Sequence, residues 1–175
     1  MLDLAGVCVL AFNEEGKVLS IYTDKPHKTY RNKGWGFPGG KPEKGELPPT
    51  TAVRKLREET GIEIMEEELI PLWISNTDMR EEHLLAITYL CISLIREEPI
   101  SSDEGKVEFR DASDLISEDS PYPQYNMEVL TVFERFCEGW VDKPTGCICD
   151  WSPGKKHRFG CATKQIKLPV RLLLQ

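Results

Sequence analysis

Hydrophobic and polar positions lay out most of the chain before any chemistry is considered. Residues 4–12 are a nearly unbroken apolar run rich in Val, Leu and Ala, which predicts a buried strand. Asn13-Glu-Glu-Gly16 reads as a turn, and residues 17–23 as the returning strand of a hairpin. Residues 24–34 are polar and basic, hence a loop. Trp35-Gly-Phe-Pro-Gly-Gly40 is too glycine-rich for regular structure throughout and predicts a short strand entering a tight loop. The strongest helix covers residues 48–60. Pro48 and Pro49 suit a first turn, where no intrahelical N–H is needed, and Gly61 suits the position just past the end. Ala52, Val53 and Leu56 form its apolar stripe. Residues 63–75 predict a strand broken around 66–68. Residues 84–95 are apolar on both faces and predict a central strand, and residues 106–109 a short one. Residues 125–137 carry Val129, Val132, Phe133, Phe136 and Cys137 at helical spacing. Strands, helix, strands, helix is the order of an α/β or α+β layered domain with a mixed sheet between helices.

Composition narrows the class. A chain of 175 residues, 40% hydrophobic and 29% charged, suits one globular domain with a short appendage. The net charge of −7 argues against a general nucleic-acid binder. Residues 141–175 hold seven Lys/Arg against two Asp/Glu, a net of +5, which leaves −12 on the rest. No apolar run is long enough to span a bilayer, and no basic leader precedes one, so the expectation is a cytoplasmic protein with no membrane partner. Cys8 and Cys91 lie in apolar strands and read as small core residues.

The chemistry concentrates between Gly40 and Ile62. A glycine-rich loop allows backbone groups to approach a phosphate closely. The helix that follows places Lys55, Glu58 and Glu59 on one face, with Arg54 four residues before Glu58. Adjacent carboxylates repel unless something positive sits between them, and a hard divalent cation with oxygen ligands meets that need. Glu46 precedes the helix and reaches the same region. Gly40 and Gly45 have the glycine spacing of a phosphate-binding NTPase loop. Glu46 and Leu47 then stand where that loop requires Lys and Ser/Thr, so it is rejected.

The stretch resembles the Nudix box. Gly40, Glu46, Arg54, Leu56, Glu58, Glu59, Gly61 and Ile62 match it with its spacing, and Trp35 to Gly40 is similar to the lead-in of that family. The resemblance implies an α/β fold, a Nudix-type α/β/α sandwich with a mixed β-sheet, over residues 1–140. Residues 141–175 then form a basic appendage. It further implies a metal-dependent hydrolase that cleaves the pyrophosphate linkage of a nucleoside diphosphate derivative with Mg²⁺ or Mn²⁺. Glu58, Arg54, Glu46 and Glu104 are the implied catalytic residues. Glu58, Glu59 and Glu104 are the implied metal ligands, and Gly39, Gly40 and Lys41 the implied substrate contacts. Arg31 and Lys33 are further phosphate candidates. Glu104, with Asp103 as the weaker choice, comes from a loop acid that family members carry before a late strand.

One position departs from the pattern. The family has Glu directly after the Arg; this chain has Lys55. A relocated base, weak activity and a nucleotide-binding regulator without catalysis all remain open on that ground. The substrate markers of the ADP-ribose and dinucleoside polyphosphate subgroups are missing, since residues 77–79 are Thr, Asp and Met. A nucleoside triphosphate is left as the default substrate. In the appendage, Cys147, Cys149, His157 and Cys161 have donors that suit tetrahedral Zn²⁺, at a spacing that also suits unliganded thiols. The basic appendage is a candidate for RNA contact, and residues 168–174 are apolar enough for an added strand or a homodimer contact.

Overall fold

A computed structural model describes residues 3–23, 33–79, 82–101, 105–117 and 120–141, with backbone only at 3, 76–79, 82–84 and 138–141. Its strands are β1 (Asp3–Leu10), β2 (Val18–Thr23), β3 (Gly34–Gly36), β4 (Gly39–Gly40), β5 (Leu69–Met79), β6 (Glu82–Cys91) and β7 (Lys106–Arg110). Its helices are α1 (Pro48–Thr60), α2 (Ala112–Leu115) and α3 (Pro123–Val141).

The order β4-β1-β6-β5 makes a four-stranded sheet, and β3-β2-β7 a three-stranded one. β1 runs parallel to β6 and antiparallel to β4, so the larger sheet is mixed. The hairpin from β1 to β2 joins the two sheets, with Leu19 N donating to Ala11 O at 2.9 Å. The Asn13 side chain closes its turn by accepting from the backbone N–H of Glu15 and Lys17 at 3.1 and 2.9 Å.

β1 explains the layering. Val7, Val9 and Ala11 point to one side and pack with Ala52 and Leu56 of α1. Leu10 and Phe12 point to the other and pack with Val129, Leu130 and Phe133 of α3. Phe12 stacks on Phe133 with ring centroids 4.8 Å apart. Both faces of β1 are therefore covered, which is why its sequence is apolar without alternation. The architecture is the expected α/β arrangement, a mixed sheet between helices.

α1 has the predicted bounds because both ends carry local signals. Proline occupies its first turn, and Gly61 ends it at φ 73°, its N–H donating to Arg57 O at 2.9 Å. Elsewhere the edges moved. Residues 63–65 are irregular, Glu66–Glu68 form a 3-10 turn, and the strand begins at Leu69 and runs to Met79. β6 is interior as expected but ends at Cys91, and Ile95 then bridges back to Asn13. α2 has only four residues, too few to show a period. Cys91 is buried and Cys8 half-buried, and loss of water pushes both thiols up to about 11.

Candidate active site

The site begins with a strand of two glycines. β4 lies beside β1, with Gly39 opposite Cys8 and Gly40 opposite Val7. A Cβ on Gly39 would lie 2.1 Å from Val7 O, and one on Gly40 would lie 2.8 Å from Lys55 Cε. No side chain fits at Gly39, where β1 touches β4. At Gly40 the Lys55 stem occupies the space a side chain would fill. Gly39 N donates to Glu59 Oε2 at 2.8 Å, which ties the loop to the end of α1. Glu59 is only 5% exposed.

Arg54 organises the helix face. Its Nε and Nη2 each donate to Glu46 at 2.7 Å, a bidentate pair. Its Nη1 reaches Glu58 Oε2 at 3.1 Å and Oε1 at 3.3 Å. Nη2 also donates to Lys41 O at 3.2 Å. The guanidinium thus joins the loop before α1 to the face of α1, and its pairing with Glu46 raises its pKa further.

Glu46 accepts from more than Arg54. The Glu43 backbone N–H donates to Oε2 at 2.8 Å and the Thr51 hydroxyl at 2.9 Å. The Arg54 hydrogen bonds foremost, then the Glu43 N–H, hold this carboxyl down at about 2. Glu58 is more open, and its pKa is lowered first by the hydrogen bond from Lys55 and then by Arg54. Lys55 Nζ lies 3.0 Å from Glu58 Oε2.

The predicted residues separate into groups. Gly39, Gly40, Glu46, Arg54, Glu58 and Glu59 are brought together around β4 and α1, as is the Lys41 backbone. The Lys41 and Lys33 side chains are exposed to solvent. Arg31, Asp103, Glu104, the four appendage donors Cys147, Cys149, His157 and Cys161, and residues 168–174 lie outside the described residues. Thr51 and the Glu43 backbone were missed by sequence reasoning. Thr51 sits in the first turn of α1, five residues after Glu46, and that spacing was its only signal. Among the described residues no three acidic, thiol or imidazole groups converge on one point. None of their helices is long and apolar enough to cross a membrane.

The model of the NUDIX domain matches residues 3–129. The uncharacterized Nudix hydrolase YvcI of Bacillus subtilis is 32% identical over 111 residues, 62% of this chain and 65% of that protein. The match therefore spans a little under two thirds of that relative's length. Among solved structures, the MutT protein of Methanosarcina mazei superposes with a TM-score of 0.58 at 22% identity, covering 79% of this chain and 96% of that one. A MutT NUDIX hydrolase of Burkholderia pseudomallei gives 0.57 at 20% identity, covering 74% and 99%. At these identities the solved structures speak for the fold alone.

Proposed function

The chain belongs to the Nudix family, and on that premise we propose that it hydrolyses the pyrophosphate linkage of nucleoside diphosphate derivatives, a nucleoside triphosphate by default. The observation that carries this reading is the joint placement of Glu58 and Glu59 on α1 beside the Gly39–Gly40 strand, with Arg54 holding Glu58. The bare strand lets α1 approach closely, with the Lys55 stem lying over Gly40, and the helix brings oxygen donors and one ammonium to its edge.

The donor chemistry fits a divalent cation. Glu58 and Glu59 supply carboxylate oxygens, and Mg²⁺ is ordinarily held by one or two carboxylates together with substrate phosphates. The set suits one ion shared with the substrate. Such an ion, when bound, neutralises phosphate oxygens and lowers the pKa of water. The chain's own residues do the rest. Arg54 fixes the rotamer of Glu58 through two hydrogen bonds while Glu46 fixes Arg54. Glu59 holds the Gly39 N–H and so sets the distance between loop and helix. Glu46 is a positioning residue, since four donors inside the protein already occupy its oxygens. Glu104, which precedes β7 in the sequence, is the proposed further ligand or base.

A nucleotide-binding regulator without catalysis is the second reading, and the pairing of Lys55 with Glu58 is the observation that favours it. A panel of nucleoside triphosphates and diphosphate-linked nucleotides, assayed with Mg²⁺ and Mn²⁺ and again with chelator, separates the two. Metal-dependent turnover of at least one compound is expected. Tight binding without turnover of any compound replaces the first reading by the second.

A further inference from the structure

Lys55 is more than a missing carboxylate. Its stem runs across Gly40, with Cε, Cδ and Cγ against the place a Cβ would occupy, and its side chain is only 18% exposed. The ammonium meets Glu58 Oε2 at 3.0 Å, the same oxygen that Arg54 Nη1 reaches at 3.1 Å. A cation is thus built into the cluster, packed against the glycine strand. The charge count follows. Arg54 and Lys55 stand against Glu46, Glu58 and Glu59, a net of −1. The family pattern, with a carboxylate at 55, sets one cation against four carboxylates, a net of −3. A polyanion is repelled less by the first arrangement, and a free divalent cation is attracted less.

We propose that Lys55 is a tethered cation that stands in for a metal ion at Glu58, so that the free protein binds phosphate chains without metal and binds free divalent metal weakly. A metal ion then enters the site with the nucleotide rather than ahead of it. This order follows from the free protein's weak hold on the cation: the phosphate brings the negative charge that raises the cation's affinity, and by linkage the cation raises the phosphate's affinity by the same factor. The inference rests on the reading of this site as a pyrophosphate site, but it concerns binding and not turnover.

The test uses the full chain and two simple probes. Inorganic pyrophosphate is titrated calorimetrically in EDTA, and Mn²⁺ alone is titrated by electron paramagnetic resonance without any phosphate. Two unit charges change in Lys55→Glu, each a few ångströms from Glu58. Coulomb energies at that range correspond to a tenfold effect or more. Lys55→Glu is expected to weaken pyrophosphate binding in EDTA by at least about tenfold and to tighten Mn²⁺ binding by at least about tenfold. Lys55→Gln, which keeps most of the stem over Gly40, is expected to fall between on both constants. Thermal melts check that each variant is folded, and Lys55→Gln carries the test if Lys55→Glu is not. Wild-type protein that fails to bind pyrophosphate in EDTA overturns the proposal. So does either constant staying within twofold of wild type in the folded variants. A chain that shows both shifts yet hydrolyses no nucleotide keeps this proposal and loses the enzymatic one.

Discussion

Arg54 hydrogen-bonds two carboxylates, and the two ends of that contact differ in almost every respect. Towards the start of α1, Glu46 receives both arms of the guanidinium, a backbone N–H and the Thr51 hydroxyl, and its side chain is 11% exposed. Towards the end of α1, Glu58 receives one arm and an ammonium, and its side chain is 38% exposed. A carboxylate that accepts four hydrogen bonds from inside the protein fixes geometry. One that is itself more open to solvent and holds fewer partners can exchange a partner for a ligand. On the proposed reading two box residues with the same side chain play different parts, and the box alone does not distinguish them.

The largest effect should come from the carboxylate that joins loop and helix. Glu59→Gln is expected to cut turnover at least about a hundredfold, since metal-assisted charge neutralisation supplies several kcal/mol. The amide oxygen still accepts from Gly39 N, so the melting temperature should barely move. Near-normal turnover at saturating Mg²⁺ would remove Glu59 from the proposed ligand set. Glu58→Gln should lower turnover by at least about tenfold while the melting temperature stays within about 2 °C, as exposed ion pairs contribute little. A large fall in stability there would erase the contrast with Glu46.

The structural end should respond the other way. Arg54→Ala removes the bridge between loop and helix and leaves Glu46 without its bidentate partner. A drop of about 5 °C in melting temperature is expected. Arg54→Lys should recover only part of it, because an ammonium cannot make the paired contact. Calorimetry on the two variants decides.

Acid gives the smallest and most specific signature. Glu46 is held at about 2 against an ordinary value of 4.5. Its stabilising contribution is full above the ordinary value and is lost as pH falls from there towards about 2. Glu58 shifts in the same direction and adds to the same acid limb. In Glu46→Gln the fall in stability between those pH values should be shallower than in wild type. Parallel curves would mean that the clamp contributes nothing in solution.

Much of this arrangement could be read from residues, and the exceptions have physical reasons. α1 was legible to its ends because Pro48, Pro49 and Gly61 punctuate it, and β1 because burial on both faces removes all alternation. The break at Glu66–Glu68 was legible and is a 3-10 turn, but residues 63–65 before it, read as strand from their composition, are irregular. The placement of Gly39, Gly40, Glu46, Arg54, Glu58 and Glu59 along β4 and one face of α1 follows from their spacing on a helix and its preceding loop. What spacing cannot give is which oxygen is already taken. The engagement of Glu46 by the Glu43 N–H depends on the loop conformation, with Gly45 at φ 82°. The pairing of Lys55 depends on the bare backbone of Gly40 beneath its stem.

The central claim is that the chain uses water to break a phosphoanhydride bond. Hydrolysis of nucleoside triphosphates with Mg²⁺ in ¹⁸O-enriched water, followed by mass spectrometry, tests it directly. The account predicts a nucleoside monophosphate and pyrophosphate, with a single ¹⁸O in one of them. Unchanged nucleotide after prolonged incubation, with the nucleotide still tightly bound, would contradict it.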